Sequence, residues 1–175
     1  MGVMKIIITI LLLSFLMNVV ACSGDTSTPA VPVVGHPAPD FQYKTLDGED
    51  KFLSDLKGRP VLLNFWATYC GPCRYEMPLL QEIYEDPEWS ERGLLIIAIN
   101  LSESKTTVQE FMEENNYSFM VLLDMSGTVG MLYNARYIPM TYFIDKDGII
   151  KDIKVGPFQN KAEIEQALLN LTSDE

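Results

Sequence analysis

Four short apolar runs punctuate the chain: Val61 to Phe65, Leu94 to Asn100, Phe119 to Leu123, and the segment from Met140 to Ile144. Each is too short for a helix of ordinary length and reads as a strand. Leu94 to Asn100 is apolar on both faces, the pattern of a central parallel strand. Helical periodicity fills the gaps. Met77, Leu80, Ile83 and Tyr84 fall on one face, with Asp86-Pro87 as a stop. Thr106 to Asn115 carries Val108, Phe111 and Met112 on one face, and Asn115-Asn116 ends it. Gly127 to Asn134 is a short helix with Val129, Leu132 and Tyr133, and Lys161 to Leu171 buries Ile164, Ala167, Leu168 and Leu171. This alternation predicts an α/β domain, in which residues 94–123 form a βαβ unit with a right-handed crossover.

Turn residues complete the pattern. Phe41 to Leu46 and Lys51 to Leu53 flank Asp47-Gly48, a hairpin signal. Ser54 to Gly58 reads as one helical turn, and Gly93 closes a loop that contains Trp89. Asp145-Lys146-Asp147-Gly148 is a second hairpin turn, joining 140–144 to Ile149–Val155; it is too short for a calcium loop.

The beginning of the chain has a different character. Its first 21 residues hold one charge, Lys5, followed by an apolar run from Ile6 to Val20. Such a segment reads as a signal peptide, because a membrane span needs about 20 apolar residues. The run ends Val19-Val20-Ala21-Cys22, which resembles a bacterial lipobox and marks Cys22 for lipidation. An uncleaved signal anchor, with Cys22 an ordinary residue, is the alternative. Residues 22–34 are rich in Ser, Thr and Pro and read as a flexible tether, leaving 35–173 as the folded domain. Either reading tethers the domain to a membrane, outside the cytoplasm.

Charge narrows the partners. A formal net charge of −11 argues against nucleic acid and shows no polybasic membrane patch. Cysteine use is more telling. With Cys22 set aside, only Cys70 and Cys73 remain, and one four-residue loop constrains the unfolded chain little. The pair sits where the strand 61–65 ends and a helix begins. Free backbone N–H groups and the helix dipole stabilise a thiolate at Cys70. Cys73, one turn later, can close a disulfide or resolve a mixed one. Cys70 is therefore the expected exposed attacker and Cys73 the protected partner. The Cys70 thiol is expected to ionise between about 7 and 8.5.

Phe65-Trp66-Ala67 leading into Cys70-Gly71-Pro72-Cys73, with Pro78 five residues on, resembles the active site of the thioredoxin superfamily. Asn64 and Glu76 make it most similar to the TlpA/ResA branch of membrane-tethered, extracytoplasmic thiol–disulfide oxidoreductases. Thioredoxins proper carry an aspartate where this chain has Asn64. Tyr69 departs from the branch, where Trp is common. The segment from Gly35 to Phe41 also resembles the start of TlpA/ResA proteins and peroxiredoxins.

The resemblance implies a thioredoxin-like fold: a central mixed sheet flanked by helices, an N-terminal hairpin and an inserted helix–strand unit. It implies that Pro139 is cis and turns the backbone of Ile138 toward a substrate beside Cys70; a trans proline opening an edge strand is the alternative. Trp66, Pro72, Ile138 and Pro139 are the implied substrate-binding residues, with Met140 making the groove more apolar. Glu76 is the implied proton acceptor for Cys73, against the plainer reading of a solvated first-turn carboxylate paired with Arg74. No cofactor beyond the Cys70–Cys73 redox pair is implied. The Gly-Pro dipeptide suggests a reductant near thioredoxin, about −270 mV. Implied partners are protein disulfides, apocytochrome c among them, and a membrane thiol transporter of the CcdA/DsbD type as electron donor.

Other chemistries fit less well. A peroxiredoxin needs Pro and Thr where Leu63 and Ala67 stand. A Sco-type copper protein on this fold needs a wider cysteine spacing and a late histidine, and His36 is the single histidine. Structural zinc needs about four ligands. A non-enzymatic lipoprotein binding module remains the other alternative.

Overall fold

The computed structural model describes residues 32–44 and 49–172. The signal segment, Cys22, nearly all of the tether, the Asp47-Gly48 turn and residue 173 lie outside them. Among the described residues no helix is long and apolar enough to cross a membrane.

A five-stranded mixed sheet forms the centre, in the order β5-β4-β3-β6-β7. Its strands are β3 (Val61–Trp66), β4 (Leu95–Leu101), β5 (Met120–Asp124), β6 (Met140–Ile144) and β7 (Ile150–Val155). β3, every residue of which is buried, pairs parallel to β4 and antiparallel to β6. β4 pairs parallel to β5, and β6 antiparallel to β7. A separate hairpin joins β1 (Gln42–Lys44) to β2 (Asp50–Phe52), followed by a 3-10 turn at Leu53–Leu56. The thioredoxin-like architecture expected from the sequence is the one observed.

Strand alternation divides the core between two faces. Leu62, Trp66, Ile96, Ala98 and Phe143 point to one side. There they meet α1 (Gly71–Glu85), α3 (Lys105–Glu114) and α5 (Lys161–Thr172) through Met77, Leu80, Val108 and Leu168. Val61, Leu63, Phe65, Ile97, Ile99, Tyr142 and Ile144 point to the other, under Phe41, Leu53 and Tyr133 at the end of α4 (Thr128–Leu132). Asn64 and Thr141 are cross-strand partners. By alternation they share the first face, so two polar side chains are delivered beneath α1.

The helices begin and end where their sequence dictates. Ser104 caps α3 by accepting from the Thr107 N–H at 3.2 Å. Pro78 lies inside α1 without ending it: its missing N–H removes one helical bond, yet α1 runs to Glu85. Asp86 then starts α2 (Pro87–Glu91), accepting from the Glu88 N–H at 3.0 Å. Trp89, expected in a loop, is therefore helical and buried in the first core. Tyr84, expected on the inner face of α1, is exposed instead, its ring edge turned against Phe119.

Candidate redox site

Cys70 is the N-cap of α1, and its Sγ accepts the Cys73 N–H at 3.2 Å. The two sulfurs form a disulfide of 2.07 Å, and Cys73 is fully buried. Cys70 keeps 8 % of its surface exposed, so the expected attacker is the more open of the pair but is itself mostly covered. Burial of Cys73 follows from its place on the inner side of the first turn, over the sheet. Cys70 stands at the end, where the chain enters the helix.

The second informative stretch comes to the same place. The Ile138-Pro139 bond is cis, and the Ile138 carbonyl oxygen lies 3.7 Å from Cys70 Sγ. Pro139 is buried and Pro72 exposed. Exposed tyrosines surround this point in sequence: Tyr69 beside Cys70, Tyr75 on the first turn of α1, and Tyr137 beside Ile138. Tyr75 donates its hydroxyl to the Gln159 carbonyl at 3.4 Å, which ties α1 to the loop before α5.

Glu76 is fully buried, which rules out the solvated reading. Its Oε1 accepts from Asn64 Nδ2 at 2.8 Å and its Oε2 from the Phe158 N–H at 3.0 Å. Desolvation pushes its carboxyl up from 4.5 to about 7, against the opposing pull of those two hydrogen bonds and Lys154. Arg74 does not pair with it. Two residues apart, the two side chains leave the helix about 200° from each other, and the guanidinium lies 5.8 Å from the Phe111 ring centroid.

Two residues implied as substrate contacts sit elsewhere. Trp66 has no exposed surface; its ring packs against Phe111 with centroids 5.4 Å apart, because β3 turns it under α3. Met140 belongs to the second face, where its sulfur accepts from the Tyr142 hydroxyl at 3.7 Å. Alternation along β6 sends Thr141, not Met140, toward α1. His36 is exposed, with Nδ1 3.4 Å from the Val34 carbonyl oxygen. Among the described residues no cluster of three His, Cys, Asp or Glu side chains could hold a metal.

One functional group was not anticipated from the sequence. Glu103, in the loop between β4 and α3, accepts from the Thr68 N–H at 2.7 Å, the Thr68 hydroxyl at 2.5 Å and Asn100 Nδ2 at 2.6 Å. It thereby ties down the chain two residues before Cys70. The only prior signal was Asn100, a polar residue closing an apolar strand.

Comparisons with known proteins agree with this geometry. The AhpC/TSA family profile matches residues 34–153. A protein named thiol-disulfide oxidoreductase ResA, from Geobacillus thermodenitrificans, is 37% identical over 95% of this chain and 93% of its own. The chain belongs to the AhpC/TSA family. Within it, the chain groups with the ResA-type thiol–disulfide oxidoreductases. The thioredoxin-like protein YneN of Bacillus subtilis is 42% identical over 77% of this chain and 78% of its own. The crystal structure of StoA from Bacillus subtilis superposes with a TM-score of 0.63 at 27% identity, covering 80% of this chain and 99% of that one. This family membership and the cysteine spacing at 70 and 73 support a redox function for the pair.

Proposed function

We propose that this ResA-type protein is a membrane-tethered, extracytoplasmic oxidoreductase that reduces disulfides in protein substrates. The observation that carries the reading is the position of Cys70. It caps a helix N-terminus, is the more exposed residue of the pair, and lies 3.7 Å from the Ile138 backbone carbonyl, before a cis-proline. A thiolate there is stabilised by the helix end, and the Ile138 backbone offers hydrogen bonds to an extended segment.

In the reduced protein the Cys70 thiolate attacks one sulfur of the substrate disulfide and the other sulfur leaves as a thiolate, which takes up a proton. Cys73, deprotonated, then attacks Cys70 Sγ in the mixed disulfide and releases the second substrate thiol. Two electrons pass to the substrate and the Cys70–Cys73 disulfide forms. Glu76, buried with its carboxyl pushed up to about 7, serves as the acid/base for the Cys73 proton. Exposed Tyr69, Tyr75, Tyr137 and Pro72 supply aromatic and apolar surface for a polypeptide.

The reduced pair is restored by a membrane thiol transporter of the CcdA/DsbD type, and apocytochrome c is the substrate to test first. Lipid on Cys22 holds the domain at the membrane. A Cys73→Ser variant expressed in cells that make cytochrome c is expected to accumulate mixed disulfides through Cys70 that dithiothreitol releases. Failure of purified wild-type protein to accelerate insulin reduction by dithiothreitol would overturn the enzymatic reading.

A further inference from the structure

Both oxygens of Glu76 face hydrogen-bond donors, although the surroundings favour its neutral form by withholding water. The Phe158 N–H can only donate, so Oε2 remains an acceptor whatever the protonation state. The carbonyl oxygen of a neutral acid is its better acceptor, so the fixed Phe158 N–H favours Oε2 in that role and a proton on Oε1. That oxygen faces Asn64 Nδ2, which is also a donor. A hydrogen on Oε1 directed along that contact meets the Asn64 N–H donor against donor while Asn64 stays as it is.

Asn64 itself is fully buried, and its Oδ1 has no hydrogen-bond partner. Its Nδ2 donates both to Glu76 at 2.8 Å and to the Thr141 hydroxyl oxygen at 2.9 Å. Thr141 is fully buried and sits directly opposite Asn64 in the β3–β6 register. A hydroxyl can accept or donate by rotating its hydrogen. An asparagine amide turned end over end would present Oδ1 to both neighbours, accepting from Glu76 Oε1–H and from Thr141 Oγ1–H. Each of the two neighbours can pair with either end of the amide, provided that Glu76 changes protonation state.

We propose that the Asn64 amide turns over when Glu76 takes up its proton, making Asn64, with Thr141 as its pivot, the positioning residue for that proton. The inference rests on the acid/base reading of Glu76 given above. It also gives a reason for Asn at this place: an aspartate there would put a second anion against Glu76, and an aliphatic residue would pair with neither form. The other charged groups acting on Glu76 are Lys154 from β7 and Glu163 from α5, which form an ion pair with each other. Asn64 and Thr141, from β3 and β6, carry no charge. The ion pair opposes its own two fields at Glu76, which leaves the Asn64 contact as the local element that must change.

The test uses the whole oxidised protein labelled with 15N and 13C. Coupling across the hydrogen bond from Asn64 Nδ2 to the Glu76 carboxyl carbon is followed by NMR, together with the chemical shift of that carbon. Expected is a coupling present above the Glu76 midpoint of about 7 and lost below it, with the same midpoint as the carbon shift. The contact from the Asn64 NH2 protons to Thr141 is expected to vanish in step. A coupling that persists at about pH 5, when the carbon shift reports the neutral acid, overturns the proposal and leaves the acid/base reading intact. A carboxyl that stays ionised down to about pH 5 overturns both.

Discussion

Asn64 and Glu76 meet at 2.8 Å, and neither side chain exposes any surface. A carboxyl in that position is held by good donors yet stripped of water, and the loss of water dominates. Its folded midpoint of about 7 lies above the ordinary 4.5, so the folded state binds the proton more tightly than the unfolded chain does. The associated stability is fully present below about 4.5 and is lost as pH rises through about 7. Its size is about 3 kcal/mol. Urea unfolding of the oxidised protein across this window is expected to show that decline, and a Glu76→Gln variant to show a flatter profile.

The same substitution separates catalysis from stability. Gln at 76 cannot take the Cys73 proton, so release of product from the mixed disulfide is expected to slow by about 100-fold, within the range of general-base losses. Stopped-flow kinetics of single-turnover substrate reduction reads this step. The wild-type rate should carry an inflection at about 7 that the variant lacks.

Glu103 holds the approach to Cys70 through three donors. Glu103→Ala strands the Thr68 N–H and the buried Asn100 amide, and is expected to cost about 1–3 kcal/mol. Hydrogen exchange at the Thr68 amide should rise far more than exchange in β3. Glu103→Gln, which keeps an acceptor oxygen, should recover part of the loss.

Tyr133 donates its hydroxyl to the Pro39 carbonyl at 2.7 Å, fastening the segment before β1 to the second core. Tyr133→Phe keeps the ring, which lies edge-on to Tyr142 at 5.0 Å between centroids. The change is expected to lower stability by about 0.5–1.5 kcal/mol, read as a smaller urea midpoint at an unchanged slope.

Much of this fold was legible because period and burial coincide. The run Leu-Leu-Ile-Ile-Ala-Ile-Asn from Leu94 lies between two parallel partners, and Ile164, Ala167, Leu168 and Leu171 all point inward. Tyr84 and Trp89 were misplaced for a common reason. Their apolar character fits more than one setting, and only the two helices abutting at Asp86-Pro87 decide which ring is covered. Met140 was misassigned because adjacency in sequence to Pro139 suggested adjacency in space, whereas successive strand residues face opposite ways. Trp66 borders the cysteines in sequence but lies beneath them. Burial of Glu76 and the grip of Glu103 depend on Phe158 and Thr68, residues 82 and 35 positions away, and no local pattern signals such contacts.

Cys70 at 8 % exposure against Cys73 at zero is the asymmetry on which the account depends. The most direct measurement is alkylation of the fully reduced, folded protein with iodoacetamide, resolved by mass spectrometry of the peptide carrying both cysteines. Label is expected on Cys70 alone, at a rate that rises with an inflection between about 7 and 8.5, while Cys73 stays unmodified until the protein is unfolded. Label on Cys73 first, or on neither, would contradict the account.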